Sequence, residues 1–250
     1  MKLAYRNDGI ELRIGGLPPI WMHMGIVIIA CLITFPLWIE LHAGGLATAD
    51  IVIPGIILSV LAHELGHAAT ARYLGCKPTL IRLHAGGGEA ILESGDITRA
   101  EARLITIAGP AANLLIALAL LSAYYVAMPD TAVPFVPTPE SPWTVPPPMA
   151  IPPFCRALQW LGVLNLIWCV VNLLPAFPLD GGHLFYDVIE SRYGPYRALF
   201  WTGLLGTIFA VIAKIIFIAG ILTGFVIWSP PYLKPNLQAL QMARQRQPTT

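Results

Sequence analysis

Apolar residues fall into five long runs separated by short polar or proline-rich stretches. The runs are 22–41, 51–74, 104–128, 157–174 and 198–228. Stretches of this length and polarity read as transmembrane helices, because about 20 apolar residues in a helix span a hydrocarbon core of about 30 Å. Trp21 and Trp38 stand near the ends of the first run, where aromatic rings anchor a helix at the membrane interface. The second run is interrupted by His63, Glu64, His67 and Arg72, and the fifth carries Lys214 as its one charge. The fifth run would extend ~46 Å as one helix, well past the bilayer core. It must therefore tilt, break near Gly220 or Thr223-Gly224, or fold into a hairpin. The pattern predicts an all-α polytopic membrane protein of five or six transmembrane helices, with residues after about 222 as the open sixth. The whole of 1–250 reads as one intramembrane domain without internal repeats.

Three stretches do not span. Lys77–Gly95 holds Gly86-Gly87-Gly88 beside an extended-looking flank, Thr79–Leu83, and predicts a β-like loop dipping into the membrane from one side. No Gly-Lys-Ser/Thr follows these glycines, so they are not a phosphate cradle. Pro129–Pro153 has 10 prolines in 25 residues and no Lys or Arg, which predicts an extended connector outside the membrane. Lys234–Thr250 is a polar tail, able to lie weakly on a surface through Leu237, Leu240 and Met242. Ahead of the first run, Ile10–Ile14 alternates apolar and charged residues and predicts a short strand at the membrane surface. The charges of Met1–Pro19, with no small-residue cleavage pattern, argue against a signal peptide.

Composition agrees with this reading. Charged residues are 12% of the chain, about half the share of an ordinary soluble domain, and the net charge is +1. A basic-patch nucleic-acid binder and a disordered chain are excluded on that ground. Cys31, Cys76, Cys155 and Cys169 lie far apart with no CxxC spacing and predict free thiols. Lys and Arg set the orientation. They cluster at the N-terminus (Lys2, Arg6, Arg13), after the second run (Arg72, Lys77, Arg82, Arg99, Arg103) and after the fourth (Arg192, Arg197), and are missing from Glu40–Asp50 and the proline loop. The bias puts the Gly-rich loop and 180–197 in the cytoplasm and 129–153 outside. Lys234, Arg244 and Arg246 also favour the cytoplasm, in conflict with a single fifth span.

The chemistry centres on His63-Glu64-Leu65-Gly66-His67. Histidines at i and i+4 share one helix face, so both imidazoles can reach one metal ion, and Glu64 is placed to take a proton from water activated there. Three ionisable groups in the middle of an apolar span are costly unless they serve a site. A catalytic zinc needs a third protein ligand. Asp180 is the prime candidate: it follows Asn172-Leu173-Leu174-Pro175-Ala176-Phe177-Pro178-Leu179, where two prolines stop the fourth helix, and precedes Gly181-Gly182. Glu89 and Glu93 are the fallback.

HELGH in one apolar run and NLLPAFPLDGG at the end of another resemble the site-2 protease family of intramembrane zinc metalloproteases, over roughly residues 50–222. Gly109-Pro110-Ala111-Ala112-Asn113 resembles that family's GPxxN-type motif. The resemblance implies His63, His67 and Asp180 as ligands of one zinc ion, Glu64 as catalytic base, and Asn172 as an amide steadying substrate or oxyanion. It also implies that the loop at 84–92 pairs with an unwound substrate. The expected function is hydrolysis of peptide bonds within or near transmembrane segments of membrane-anchored proteins, in a bacterial cytoplasmic membrane, with the active site open to the cytoplasm. The bilayer and the anchored substrate are the expected partners, and no nucleic acid is. The sequence shows no PDZ-like insertion, and its proline loop is long. A non-hydrolytic zinc protein or transporter is the alternative; a transporter would be expected to repeat internally and to carry ligands in several spans. Outside the motifs, Asn113 is divided between packing and substrate contact, His84 is read as structural or a pocket residue, and His183 as surface. His23 and His42 suit the interface.

Overall fold

The computed structural model describes residues 2–6, 9–39, 43–93, 95–128 and 151–245. The proline loop expected at 129–153 falls outside the described residues up to 150, as do His42, Ser94 and 246–250. Strands β1 (Lys2–Arg6), β2 (Gly9–Arg13) and β3 (Ile20–His23) lead into helices α1 (Met24–Ile33), α2 (Phe35–Ile39) and α3 (Ala43–Tyr73). Then come β4 (Pro78–His84), β5 (Gly87–Leu92), α4 (Arg99–Ala127), α5 (Pro153–Asn172), α6 (Asp180–Tyr193), α7 (Pro195–Thr223) and α8 (Leu233–Gln245).

Among the described residues, four helices are long and apolar enough to cross a membrane: most of α3, and all of α4, α5 and α7. They make the chain an integral membrane protein. The first apolar run, expected as one span, is instead β3 followed by two short helices. The backbone of Ile20–Met22 pairs with β2 and β4, which takes it out of the helix. Thr34 then breaks the run: its Oγ1 donates to the carbonyls of Ala30 and Cys31 and accepts from the Trp38 indole N–H at 3.2 Å. Pro36 has no N–H to continue the ladder. Helix α3 begins at Ala43, earlier than the run at 51, and continues through Pro54.

Packing is closest where small residues face a neighbour. A Cβ on Gly66 of α3 would stand 2.6 Å from the Ala108 carbonyl oxygen of α4, and one on Gly55 would stand 2.5 Å from Leu161 of α5. Ile33, Leu37, Val52, Ile56, Leu161, Leu164 and Trp168 fill the main core. The side chains of Ile208, Val211, Ile212, Ile215, Ile216 and Ile218 on α7 remain exposed, as lipid-facing residues should.

The expected β-like loop is the β4–β5 hairpin, and the expected strand at 10–14 is β2. Both belong to a larger five-stranded sheet in the order β1-β2-β3-β4-β5. Its one parallel pairing, Ile20↔Ile81 to Met22↔Leu83, joins the N-terminal strands to the hairpin. β5 is the last strand of the sheet, and Gly87 at its start has φ 122°, which a side chain would rarely adopt.

The long fifth run breaks at Gly224, one of the two places expected. Gly224 has φ 74°, and the Phe225 N–H donates to the Gly220 carbonyl at 2.7 Å, closing the helix end. Residues 225–232 are not helical; they turn back into the molecule, where Val226 joins the core and the Trp168 indole N–H donates to the Ile227 carbonyl. Eight extended residues reach ~26 Å, enough to return most of the way across a bilayer core. The tail then forms α8, packed on the early part of α7, where Gly203 would clash with the Asn236 carbonyl if it carried a Cβ. The tail is thus a buttress of the fold and not a strip lying loosely on the surface.

Candidate metal and catalytic site

His63 and His67 sit one turn apart on α3, and Asp180 is the first residue of α6. Their ligand atoms converge. His63 Nε2 lies 3.1 Å from His67 Nε2, and the two rings stand 3.2 and 3.4 Å from the Asp180 carboxylate oxygens. Among the described residues no other group of three or more His, Cys, Asp or Glu converges in this way. Glu89 and Glu93, the fallback ligands, are instead spent on ion pairs with Arg82 and Lys77.

The protonation of the rings can be read from the hydrogen-bond pattern. His67 Nδ1 lies 2.7 Å from the Ile105 carbonyl, which can only accept, so this nitrogen carries the proton. On the other ring the argument starts further away. Asn165 Nδ2 donates to the Leu161 carbonyl and to Ser59 Oγ, so its Oδ1 faces Asn113 and accepts from Asn113 Nδ2 at 2.8 Å. Asn113 Oδ1 then faces His63 Nδ1 at 2.5 Å and accepts its proton. Both Nε2 atoms are left with lone pairs aimed at each other and at a carboxylate, in a buried place.

Such a set needs a cation. In a tetrahedral zinc site with bonds of 2.0–2.2 Å, neighbouring ligand atoms are about 3.4 Å apart. The three separations here are 3.1, 3.2 and 3.4 Å. Two imidazoles, each held by a hydrogen bond through its far nitrogen, and one carboxylate form a donor set that fits zinc.

Glycines make room for this geometry. A Cβ on Gly109 would run into the His67 ring and stand 2.7 Å from His63 Nε2. Gly181 and Gly182 lie inside α6 and permit close approach: Cβ atoms there would overlap the Leu173 carbonyl and stand 2.6 Å from that of Ala176.

Glu64 is 4% exposed, next to the ligand pair and against β5. A cavity of about 340 Å³ opens over the site, lined by Glu64, His84, Gly88, Asn172, Asp180 and Ser229 among others. Asn172 is the last residue of α5 and half-buried. His84 lines the cavity, and its Nδ1 accepts from the Gly86 N–H. His183 also lines it, exposed and edge-on to the Phe177 ring; burial of its surroundings holds its pKa below the usual histidine value. Asn113 joins α4 to α5 through Asn165, in line with the packing role expected of it, and also holds a ligand ring. His23 caps α1, its Nδ1 accepting from Gly25.

Asn165 was missed from the sequence, and so was Ser59. The available signal was an amide in the middle of an apolar span, where an unpaired polar group is costly.

Residues 51–212 match the family model of peptidase family M50. A zinc metalloprotease of Methanocaldococcus jannaschii is 29% identical over 69% of this chain and 43% of its own length. Rip3 of Mycobacterium tuberculosis, provisionally named a zinc metalloprotease, is 30% identical over 68% of this chain and 40% of its own. A similarly named protein of Synechocystis is 32% identical over 56% of this chain and 31% of its own. The chain thus spans less than half the length of these curated relatives. The solved structure of the site-2 protease from Methanocaldococcus jannaschii superimposes with a TM-score of 0.57, over 97% of this chain and 96% of that one, at 23% identity. That likeness concerns the fold.

Proposed function

The chain belongs to peptidase family M50, and from that premise we propose that it is an intramembrane zinc metalloprotease acting on membrane-anchored proteins. We assign one zinc ion to His63, His67 and Asp180, and the role of general base to Glu64. One observation carries the reading: two proton-free imidazole nitrogens and a carboxylate converge in a membrane-spanning helix bundle, with a second, buried carboxylate beside them.

Zinc bound there would supply Lewis-acid chemistry, polarising a peptide carbonyl and acidifying water. The protein does the rest. Asn113 and the Ile105 carbonyl hold the two imidazoles in the tautomer and orientation that a metal requires. Glu64 takes a proton from the attacking water and returns it to the leaving nitrogen. Asn172, on the cavity wall, donates its amide to the oxygen on which charge develops. Cleavage also requires an unwound substrate, because a transmembrane helix ties up its carbonyls in its own ladder. The end strand β5 lines the cavity with Gly87, Gly88 and Ala90 and offers an edge to which an extended segment can pair.

The Lys and Arg bias supports access to zinc from the cytoplasmic face of a bacterial cytoplasmic membrane. The fold relieves the conflict over the tail, because 225–232 bring α8 back to the early part of α7. Substrate cleavage with purified protein and a model transmembrane peptide tests the proposal. Cut peptide with the wild type and none with Glu64→Gln, at equal zinc content, is expected. Equal cutting by both would refute the assignment of Glu64.

A further inference from the structure

We propose that Asn236, on the C-terminal helix α8, is a positioning residue for the third zinc ligand. The inference rests on the reading of Asp180 as that ligand.

Asp180 is the first residue of α6 and hangs on the turn that follows α5. Within that turn Ala176 N–H donates to Leu174, Leu179 N–H to Ala176 and Gly182 N–H to Leu179. These bonds shape the turn but do not tie it to the rest of the bundle. The tie comes from Asn236, whose side chain is fully buried. Its Oδ1 accepts from the Phe177 N–H at 2.9 Å, and its Nδ2 donates to the Phe177 carbonyl at 2.6 Å. A backbone N–H can only donate and a carbonyl only accept, so the amide orientation is fixed. Nδ2 also donates to the Tyr232 carbonyl, four residues earlier and just ahead of α8.

One side-chain amide therefore holds both polar groups of a single residue, three positions before the ligand. The Phe177 ring meanwhile rests on His183 and Tyr186 of α6. Phe177 is thus held to α8 by its backbone and to α6 by its ring, and α6 begins with Asp180. Helix α7 makes room for the clasp: a Cβ on Gly206 would overlap Asn236 Oδ1, and one on Gly203 would press on the α8 backbone.

Asn236 lies outside 51–212, the stretch that matches the family model, while Phe177, which it holds, lies inside it. The clasp gives α8 and the non-helical 225–232 a task at the metal site. Neither contributes a ligand, yet together they set where the third one stands.

The test uses the full-length chain purified in detergent, with zinc affinity read by competition with a chelator and geometry read from the visible spectrum of the cobalt-loaded protein. Asn236→Leu keeps the volume and removes both bonds. Loss of a group hydrogen-bonded directly to a ligand typically costs 10–100-fold in metal affinity or activity, and Asn236, which acts through the Phe177 backbone, is set at the lower end of that range. Zinc affinity should fall by at least tenfold, the cobalt spectrum should change, and kcat should fall with KM little altered. Gln241→Ala, on the exposed face of α8, should match the wild type in all three. A folded Asn236→Leu that binds zinc within twofold of wild type and keeps the cobalt spectrum would overturn the proposal. If Asn236→Leu does not fold, Gly206→Ala, which displaces the amide without changing it, is judged by the same criteria. Asp180→Ala separates the two levels. Unchanged zinc affinity there overturns the ligand assignment and this inference with it, whereas loss of zinc there beside an unaffected Asn236→Leu overturns the inference alone.

Discussion

The carboxylate of Glu64 lies directly against the backbone of Gly88: a Cβ at that glycine would stand 2.5 Å from Glu64 Cγ and 2.6 Å from its Oε1. The residue proposed as base and the strand proposed to receive substrate are therefore in contact. A substrate segment paired along β5 would run past the carboxylate. Gly88→Ala should push Glu64 from its place, cutting turnover at least tenfold while zinc content stays at the wild-type level. Metal analysis and a peptide-cleavage assay on the same preparation check both halves.

Replacing the base should separate binding from chemistry. Glu64→Gln keeps volume and a hydrogen-bonding carbonyl but cannot accept a proton at neutral pH. General bases contribute 10²–10⁴-fold, so cleavage should fall by about that factor while zinc remains bound and uncut substrate is retained. Near-normal turnover at equal zinc content would mean that Glu64 is not the base.

The two aspartates of α6, Asp180 and Asp187, should behave differently. Asp180→Ala removes a carboxylate facing both imidazoles and should lose zinc and activity together. Asp187 pairs instead with Arg103 at 2.5 Å and with Arg99 at 3.4 Å, away from the ligand set. Asp187→Ala should leave zinc content unchanged and cost at most about 1 kcal/mol, as partly exposed ion pairs do. Full zinc occupancy in Asp180→Ala would rule that residue out as a ligand.

Asn113 holds the His63 ring from behind and is itself held by Asn165. Asn113→Ala should weaken zinc binding 10–100-fold by freeing the ring. It also leaves a buried amide oxygen on Asn165 without its donor, which costs about 1–3 kcal/mol of stability. Chelator competition and thermal unfolding measure the two effects separately. Unchanged zinc affinity would show that the ring is oriented by something else.

Sidedness is open to a labelling test in a variant lacking the native cysteines. A cysteine at Thr138 should react with a membrane-impermeant thiol reagent in intact cells, and one at Asp96 should react only after lysis. The reverse pattern would place the active site on the other face of the membrane.

The chain by itself determined the metal pair, because a helix repeats every 3.6 residues and brings positions 63 and 67 to one face whatever surrounds them. It determined the membrane class in the same local way, since apolar runs of bilayer length have few alternatives. The break of the fifth run near Gly224 was legible too, because only a glycine there readily takes a positive φ. Asp180 could be singled out as a rare carboxylate on an irregular turn, but its placement between the two imidazoles depends on how α6 folds back over the end of α5. The rest came from tertiary structure. Whether residues 22–41 cross as one helix depends on β4, about 60 residues away, which pairs with Ile20–Met22. The relay from Leu161 through Asn165 and Asn113 to His63 joins three helices, and the clasp of Asn236 on Phe177 spans 59 positions. Hydrogen bonds of that separation leave no periodicity in a sequence. They exist only because the helices, once packed, place complementary polar groups where no water is available to satisfy them.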